Sequence, residues 1–136
     1  MQKILILCTG NSCRSIMAEA LINHFCKKNF KAVSAGSNPA GYIHQETLET
    51  LKRHGIDPGL PYSKSWDEFS GQSFDLIITV CDQAANESCP VFLGVSKRLH
   101  WGIPDPAKIS DTNTEIKAAF DNTFNMLKNH IKDTLK

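Results

Sequence analysis

Ile4-Leu5-Ile6-Leu7, entered from Lys3, is an uninterrupted apolar run that stops at Cys8. A run without polar alternation reads as a strand buried on both faces, which a covered parallel sheet provides. The next residues are Cys8-Thr9-Gly10-Asn11-Ser12-Cys13-Arg14-Ser15. They form a turn rich in Gly, Asn and Ser, after which a helical pattern begins. A buried strand, a tight turn and a helix in direct succession confine the chain to an α/β fold with a chemically loaded first turn.

The same alternation continues downstream. Strands are expected at Lys3–Leu7, Ala32–Ala35, Leu76–Val80 and Lys97–His100. A helix is expected from Ser15 to about Asn29, with Met17, Leu21 and Phe25 on one side, and another at about His44–His54, stopped by Gly55. Ser65-Trp66-Asp67-Glu68 and Thr112-Asn113-Thr114-Glu115 have capping-box spacing. The second opens a terminal helix with Ile116, Phe120, Phe124, Leu127, Ile131 and Leu135 on one stripe. The expected architecture is one doubly wound, four-stranded parallel sheet with helices on both faces, occupying residues 1–136 as one domain. Ligands bind such sheets beyond the carboxyl ends of the strands. Cys8, Cys81 and Asp105 all fall there, after the first, third and fourth strands.

The Cys8–Ser15 turn has the makings of an oxyanion cradle. Backbone N–H groups of a tight loop and a helix N-terminus favour negative charge. Thr9, Gly10, Asn11, Ser12, Cys13 and Arg14 supply the amides, and Arg14 adds a planar two-donor fork. A cation opening a helix is poorly placed unless it meets an anion. In that field the Cys8 thiol is expected to fall from a free pKa of about 8.5 into the range of roughly 3.5–7.5 and to act as nucleophile. Asn11 and Ser15 are expected to hold the loop, Asn11 by accepting positive φ and Ser15 by capping or by donating to the Cys8 sulfur. Asp105, stiffened by Pro104 and Pro106, is a candidate general acid, although a plain turn aspartate fits equally well.

The chain has five cysteines, Cys8, Cys13, Cys26, Cys81 and Cys89. Cys81 ends an apolar strand and Cys89 follows after seven residues. Thiol–disulfide exchange could pass from Cys8 to Cys81 and on to Cys89, if Cys89 lies on a mobile loop. Cys13 reads as a core-facing thiol or a resolving partner for Cys8, and Cys26 as packing. No CxxC pair or matching histidine spacing suggests zinc. The net charge of +1 calls for neither nucleic acid nor an anionic membrane. The brief N-terminal apolar run is too short for a signal peptide or a membrane span, so a cytoplasmic protein is expected.

The Cys8–Ser15 loop followed by Met17-Ala18-Glu19 resembles the arsenate reductases built on the low-molecular-weight tyrosine phosphatase fold. The resemblance runs on through Ser63–Phe69, Thr79-Val80-Cys81-Asp82, Cys89-Pro90 and His100–Ala107. It implies reduction of arsenate, with phosphate or sulfate as analogues and no cofactor. Cys8 would attack arsenic, Asp105 would protonate the departing oxygen, and Arg14 and the loop amides would hold the oxyanion. Cys81 would then attack Cys8, and Cys89 would carry the disulfide outward to thioredoxin or to glutathione and glutaredoxin. Two features depart from thioredoxin-coupled members: Ile16 replaces their Gln, and the Cys81–Cys89 interval is one residue longer. A tyrosine phosphatase using a phosphocysteine is the main alternative, although Ala107-Lys108 stand where such phosphatases carry tyrosines. A phosphocysteine carrier and a thiol-based sensor are further alternatives.

Overall fold

The computed structural model describes residues 1–81, 93–95, 97–108 and 112–135. Four parallel strands form one sheet: β1 (Gln2–Cys8), β2 (Phe30–Gly36), β3 (Leu76–Thr79) and β4 (Lys97–His100), in the order β2-β1-β3-β4. The helices are α1 (Arg14–Phe25), α2 (Gln45–Arg53) and α3 (Asn113–Thr134), with short 3-10 turns at Trp66–Phe69 and Pro106–Lys108.

The apolar run of β1 is divided by strand alternation. Ile4, Ile6 and Cys8 face a large core built with Met17, Leu21 and Ile22 of α1 and Phe120, Phe124 and Leu127 of α3. Leu5 and Leu7 face a smaller core with Ala35, Trp66, Phe74 and Ile77. The sheet is therefore covered on both sides, by three α-helices on one and by the Trp66 3-10 turn on the other.

Several boundaries differ from expectation. α1 ends at Phe25 rather than near Asn29, where the Cys26 N–H bonds to Ile22 O at 2.8 Å. Phe25 consequently leaves the buried stripe and is 51% exposed. β2 is longer than its apolar core suggests, because register with β1 extends from Gln2↔Phe30 to Cys8↔Gly36. Its outer edge is blunted where Asn23 of α1 donates to Ala32 O (3.0 Å) and accepts from Ala32 N (2.8 Å). The Ser65 segment forms a single 3-10 turn, with Ser65 Oγ accepting from Asp67 N rather than closing a full capping box. Thr112 caps α3 as its spacing predicts, accepting from Glu115 N at 3.2 Å. No helix among the described residues is long and apolar enough to cross a membrane.

The strand order reverses between β1 and β3, so their carboxyl ends flank a crevice. Backbone pairing continues past the strands there. Val80 N donates to Leu7 O (3.0 Å), Trp101 N to Thr79 O (2.7 Å) and Ile103 N to Val80 O (3.1 Å). These bonds bring Cys81 beside Cys8 and lift Gly102–Asp105 over the same spot.

Candidate active site

The Cys8–Arg14 loop owes its shape to donors that meet it from outside. Thr9 O accepts from Asn38 N, Gly10 O from Ala40 N and from Ser63 Oγ, and Ser12 O from His44 N and from Thr47 Oγ1, all at 2.9–3.1 Å. With its carbonyls drawn outward, the loop is left to present its amides inward. Asn11 makes the central turn at φ 48°, a left-handed conformation that Asn tolerates. Its fully buried side chain donates to Ser15 Oγ (2.8 Å) and Ser34 Oγ (3.0 Å), and accepts from Lys64 N (3.0 Å). Ser15 thus supports Asn11, and no hydrogen bond joins it to Cys8.

Sequence reading missed these supports, and Gly36 in particular. A Cβ on Gly36 would lie 2.4 Å from Thr9 O and 3.0 Å from Cys8 O. Only glycine lets the end of β2 come this close to the loop. The Ser34-Ala35-Gly36 ending of a strand beside a cradle was the available signal. Behind the loop, Lys64 is buried and Glu19 is partly buried. Burial raises the Glu19 pKa and lowers that of Lys64, while their mutual attraction opposes both shifts.

The loop opens into a cavity of about 560 Å³ whose walls include Cys8–Arg14, Cys81, Gly102–Asp105, Ala107 and Lys108. Arg14 is the first residue of α1, and no acidic side chain sits in that first turn. Its Nη1 donates to Ile103 O at 2.8 Å and its Nη2 lies 3.7 Å from Asp105 Oδ2. Its Nε is buried with no hydrogen-bond partner among the described residues, leaving a donor for an oxyanion. Asp105 is held by Ala107 N, which donates to Oδ1 at 2.9 Å.

Cys8 and Cys81 are both reduced and almost fully buried. The Cys81 sulfur lies 3.3 Å from Thr9 N and 3.4 Å from Thr9 Oγ1, beside Cys8 in the same cavity wall. That neighbour opposes the fall in pKa expected of Cys8. Cys81 pushes the Cys8 thiol above its ordinary range, and burial adds to the rise. Arg14 and the Thr9 amide pull the other way without overcoming it. Neighbouring sulfurs titrate as a pair, so a charge on one disfavours a charge on the other.

Cys13 precedes α1 and packs in the large core, with its thiol pushed up by burial. Cys26 sits away from the cavity, its sulfur 3.5 Å from Leu135 O. Cys89 lies outside the described residues. Among the described residues no three His, Cys, Asp or Glu side chains converge as metal ligands.

Residues 3–136 match the family described as low molecular weight phosphotyrosine protein phosphatase. An arsenate reductase of Bacillus subtilis is 35% identical over 96% of this chain and 92% of its own. One from Halalkalibacterium halodurans is 36% identical over 95% and 91%. Among solved structures, an arsenate reductase from Archaeoglobus fulgidus superposes with a TM-score of 0.67 at 31% identity, covering 95% of this chain and 98% of that one. A thioredoxin-dependent arsenate reductase of Corynebacterium glutamicum superposes at 0.65 with 26% identity, over 98% of this chain and 63% of its own.

Proposed function

The chain belongs to the low molecular weight phosphotyrosine protein phosphatase family, and from that premise we propose that it reduces arsenate to arsenite with Cys8 and Cys81 as the electron-donating pair. The observation that carries this reading is a second free thiol, its sulfur 3.3 Å from the amide of the residue that follows Cys8, in the cavity that also holds Arg14 and Asp105. A phosphatase needs one sulfur and a water. A reductase needs two sulfurs within reach of one another.

Arsenate enters as an anion held by the loop amides and the Arg14 fork. Cys8 enters as a thiol, and the bound oxyanion is the base that takes its proton. The sulfur attacks arsenic while one oxygen leaves as water, with Asp105 steering a proton to it. Arsenic is still pentavalent in this adduct. The Cys81 sulfur then attacks the Cys8 sulfur. The S–As bond breaks, its electron pair stays on arsenic, and arsenite departs with the Cys81 proton going to oxygen or solvent. Two thiols have become one Cys8–Cys81 disulfide, and arsenic has gained two electrons.

Thr9 contributes to both halves. Its N–H and hydroxyl lie against the Cys81 sulfur, and they would stabilise negative charge there as Cys81 becomes nucleophilic. Cys89 would then exchange into the disulfide and present it to thioredoxin or to glutathione and glutaredoxin. Aryl phosphates could make the same first step. However, no aromatic ring lines the cavity among the described residues, which gives a substrate ring no stacking surface.

NADPH oxidation driven by arsenate, with purified thioredoxin and glutaredoxin systems run side by side, tests both activity and reductant. Turnover is expected with one of the two. Its absence with both would end the reductase reading.

A further inference from the structure

We infer that Lys108 is a specificity-determining residue of the oxyanion site. It is a cation at the cavity mouth that takes the outward oxygen of an inorganic tetrahedral oxyanion, and so favours arsenate or phosphate over their organic esters. The inference rests on the oxyanion site of the proposed reaction and adds a residue to it. Among the described residues that line the cavity of about 560 Å³, Arg14, Asp105 and Lys108 are the charged ones. Arg14 already commits Nη1 to Ile103 O at 2.8 Å, and its Nη2 stands 3.7 Å from Asp105 Oδ2. Much of its charge is therefore answered before a ligand arrives. Lys108 is exposed, so its ammonium stays hydrated and its charge carries no burial cost. A tetrahedral oxyanion fills only part of such a cavity, which leaves room at the mouth for a second cation to meet it.

The turn that carries Lys108 is braced. Pro106 is buried and opens the 3-10 turn Pro106–Lys108. Ala107 N donates to Asp105 Oδ1 at 2.9 Å, and Lys108 N donates to Asp105 O at 3.3 Å. Asp105 and Lys108 thus stand on one held segment, and only the flexible four-carbon stem of the lysine is free to reach. The loop amides and Arg14 Nε surround the Cys8 side of the cavity and serve the oxygens turned inward. In-line attack by Cys8 sets the departing oxygen opposite the sulfur, toward the Asp105 segment. In arsenate or phosphate that outward position is a bare oxygen, which an ammonium can bond. In an organic ester or a phosphonate it carries a carbon group, which offers less negative charge and pushes the lysine aside. Specificity is a difference between two affinities, so a cation that serves one ligand alone shifts the ratio.

Inorganic phosphate and phenylphosphonate, titrated calorimetrically into the reduced full-length protein, are the probes. They present the same inward oxygens and differ at the outward position. Lys108→Ala should weaken phosphate binding roughly two- to fivefold, the scale of a solvent-exposed ion pair. It should leave phenylphosphonate affinity unchanged, which also shows that the loop is still folded in the variant. Lys108→Arg should keep the wild-type ratio of the two affinities, and Lys108→Glu should lower phosphate affinity further than Lys108→Ala. Equal loss for both ligands would make Lys108 a general contributor to the positive field and overturn the inference. Unchanged phosphate binding in Lys108→Ala, or a ratio in Lys108→Arg as low as in Lys108→Ala, would overturn it too. Arsenate turnover measured on the same preparations keeps the two readings apart. The expected binding pattern without turnover would end the reductase reading alone, whereas turnover with an unshifted ratio would end this assignment alone.

Discussion

On one wall of the cavity, Thr9, Gly10 and Ser12 each have a carbonyl held from outside, and Asn11 is anchored by three side-chain hydrogen bonds. On the other wall, Asp105 is held by one backbone donor and a 3.7 Å contact with Arg14, and Cys81 by Thr9. The first wall is a pre-shaped device whose donors come from the segment after β2, from α2 and its cap, and from Ser63-Lys64. The second is assembled because β3 and β4 end in register beside β1. The difference separates what binds an oxyanion from what decides its fate. In the proposed reaction the loop and Asp105 would serve hydrolysis and reduction alike, while the second sulfur, on the other wall, would serve reduction alone.

The largest expected effect tests that division at Cys81. Cys81→Ser should abolish arsenate reduction while sparing hydrolysis of p-nitrophenyl phosphate. Loss of both would make Cys81 a structural support of the loop and dissolve the contrast. Asp105→Asn should lower kcat about 10²–10⁴-fold, the usual scale of a lost general acid. Oxyanion affinity, read as phosphate inhibition, should change little. On the loop side the damage should be to stability as well. Gly36→Ala drives a methyl into Thr9 O and should cost about 1–3 kcal/mol in urea unfolding. It should weaken phosphate inhibition too. If oxyanion affinity survives at full stability, the loop is less rigidly held than its hydrogen bonds imply.

The smallest effect is a shift in pH profile. With its pKa raised by Cys81 and by burial, Cys8 should react slowly with iodoacetamide and still be gaining reactivity above pH 9.0, the ordinary thiol value. Cys81→Ala removes the largest of those causes and should move the profile to lower pH. An unshifted profile would mean that the two sulfurs do not titrate together.

Much of this site is legible along the chain. Cys8, Arg14 and the Gly-Asn-Ser turn between them lie in one short segment. Asn11 was rightly read as the residue that accepts a positive φ. Cys81 and Asp105 were placed at the same rim because each follows a strand-like segment. The supports were harder to see. Ser34, Gly36, Ser63 and Lys64 reach the loop only after β2 and the segment before the 3-10 turn have closed around it. No short-range spacing marks them. The direction of the Cys8 pKa shift is hidden from the sequence for a related reason. The amides and Arg14 that lower its pKa are local, and the sulfur that raises it is 73 residues away in sequence.

The order of apolar runs and turns determined by itself that the chain would be a parallel α/β sheet with a cysteine-bearing, Gly-Asn-Ser first turn, since burial patterning and turn chemistry act over a few residues. Only the tertiary structure decided that a second thiol lies beside the first and that a glycine on β2 lets the loop close. It also decided that a neighbouring sulfur and burial raise the pKa of Cys8. Contact, desolvation and shared protons depend on distances that strand order and register set.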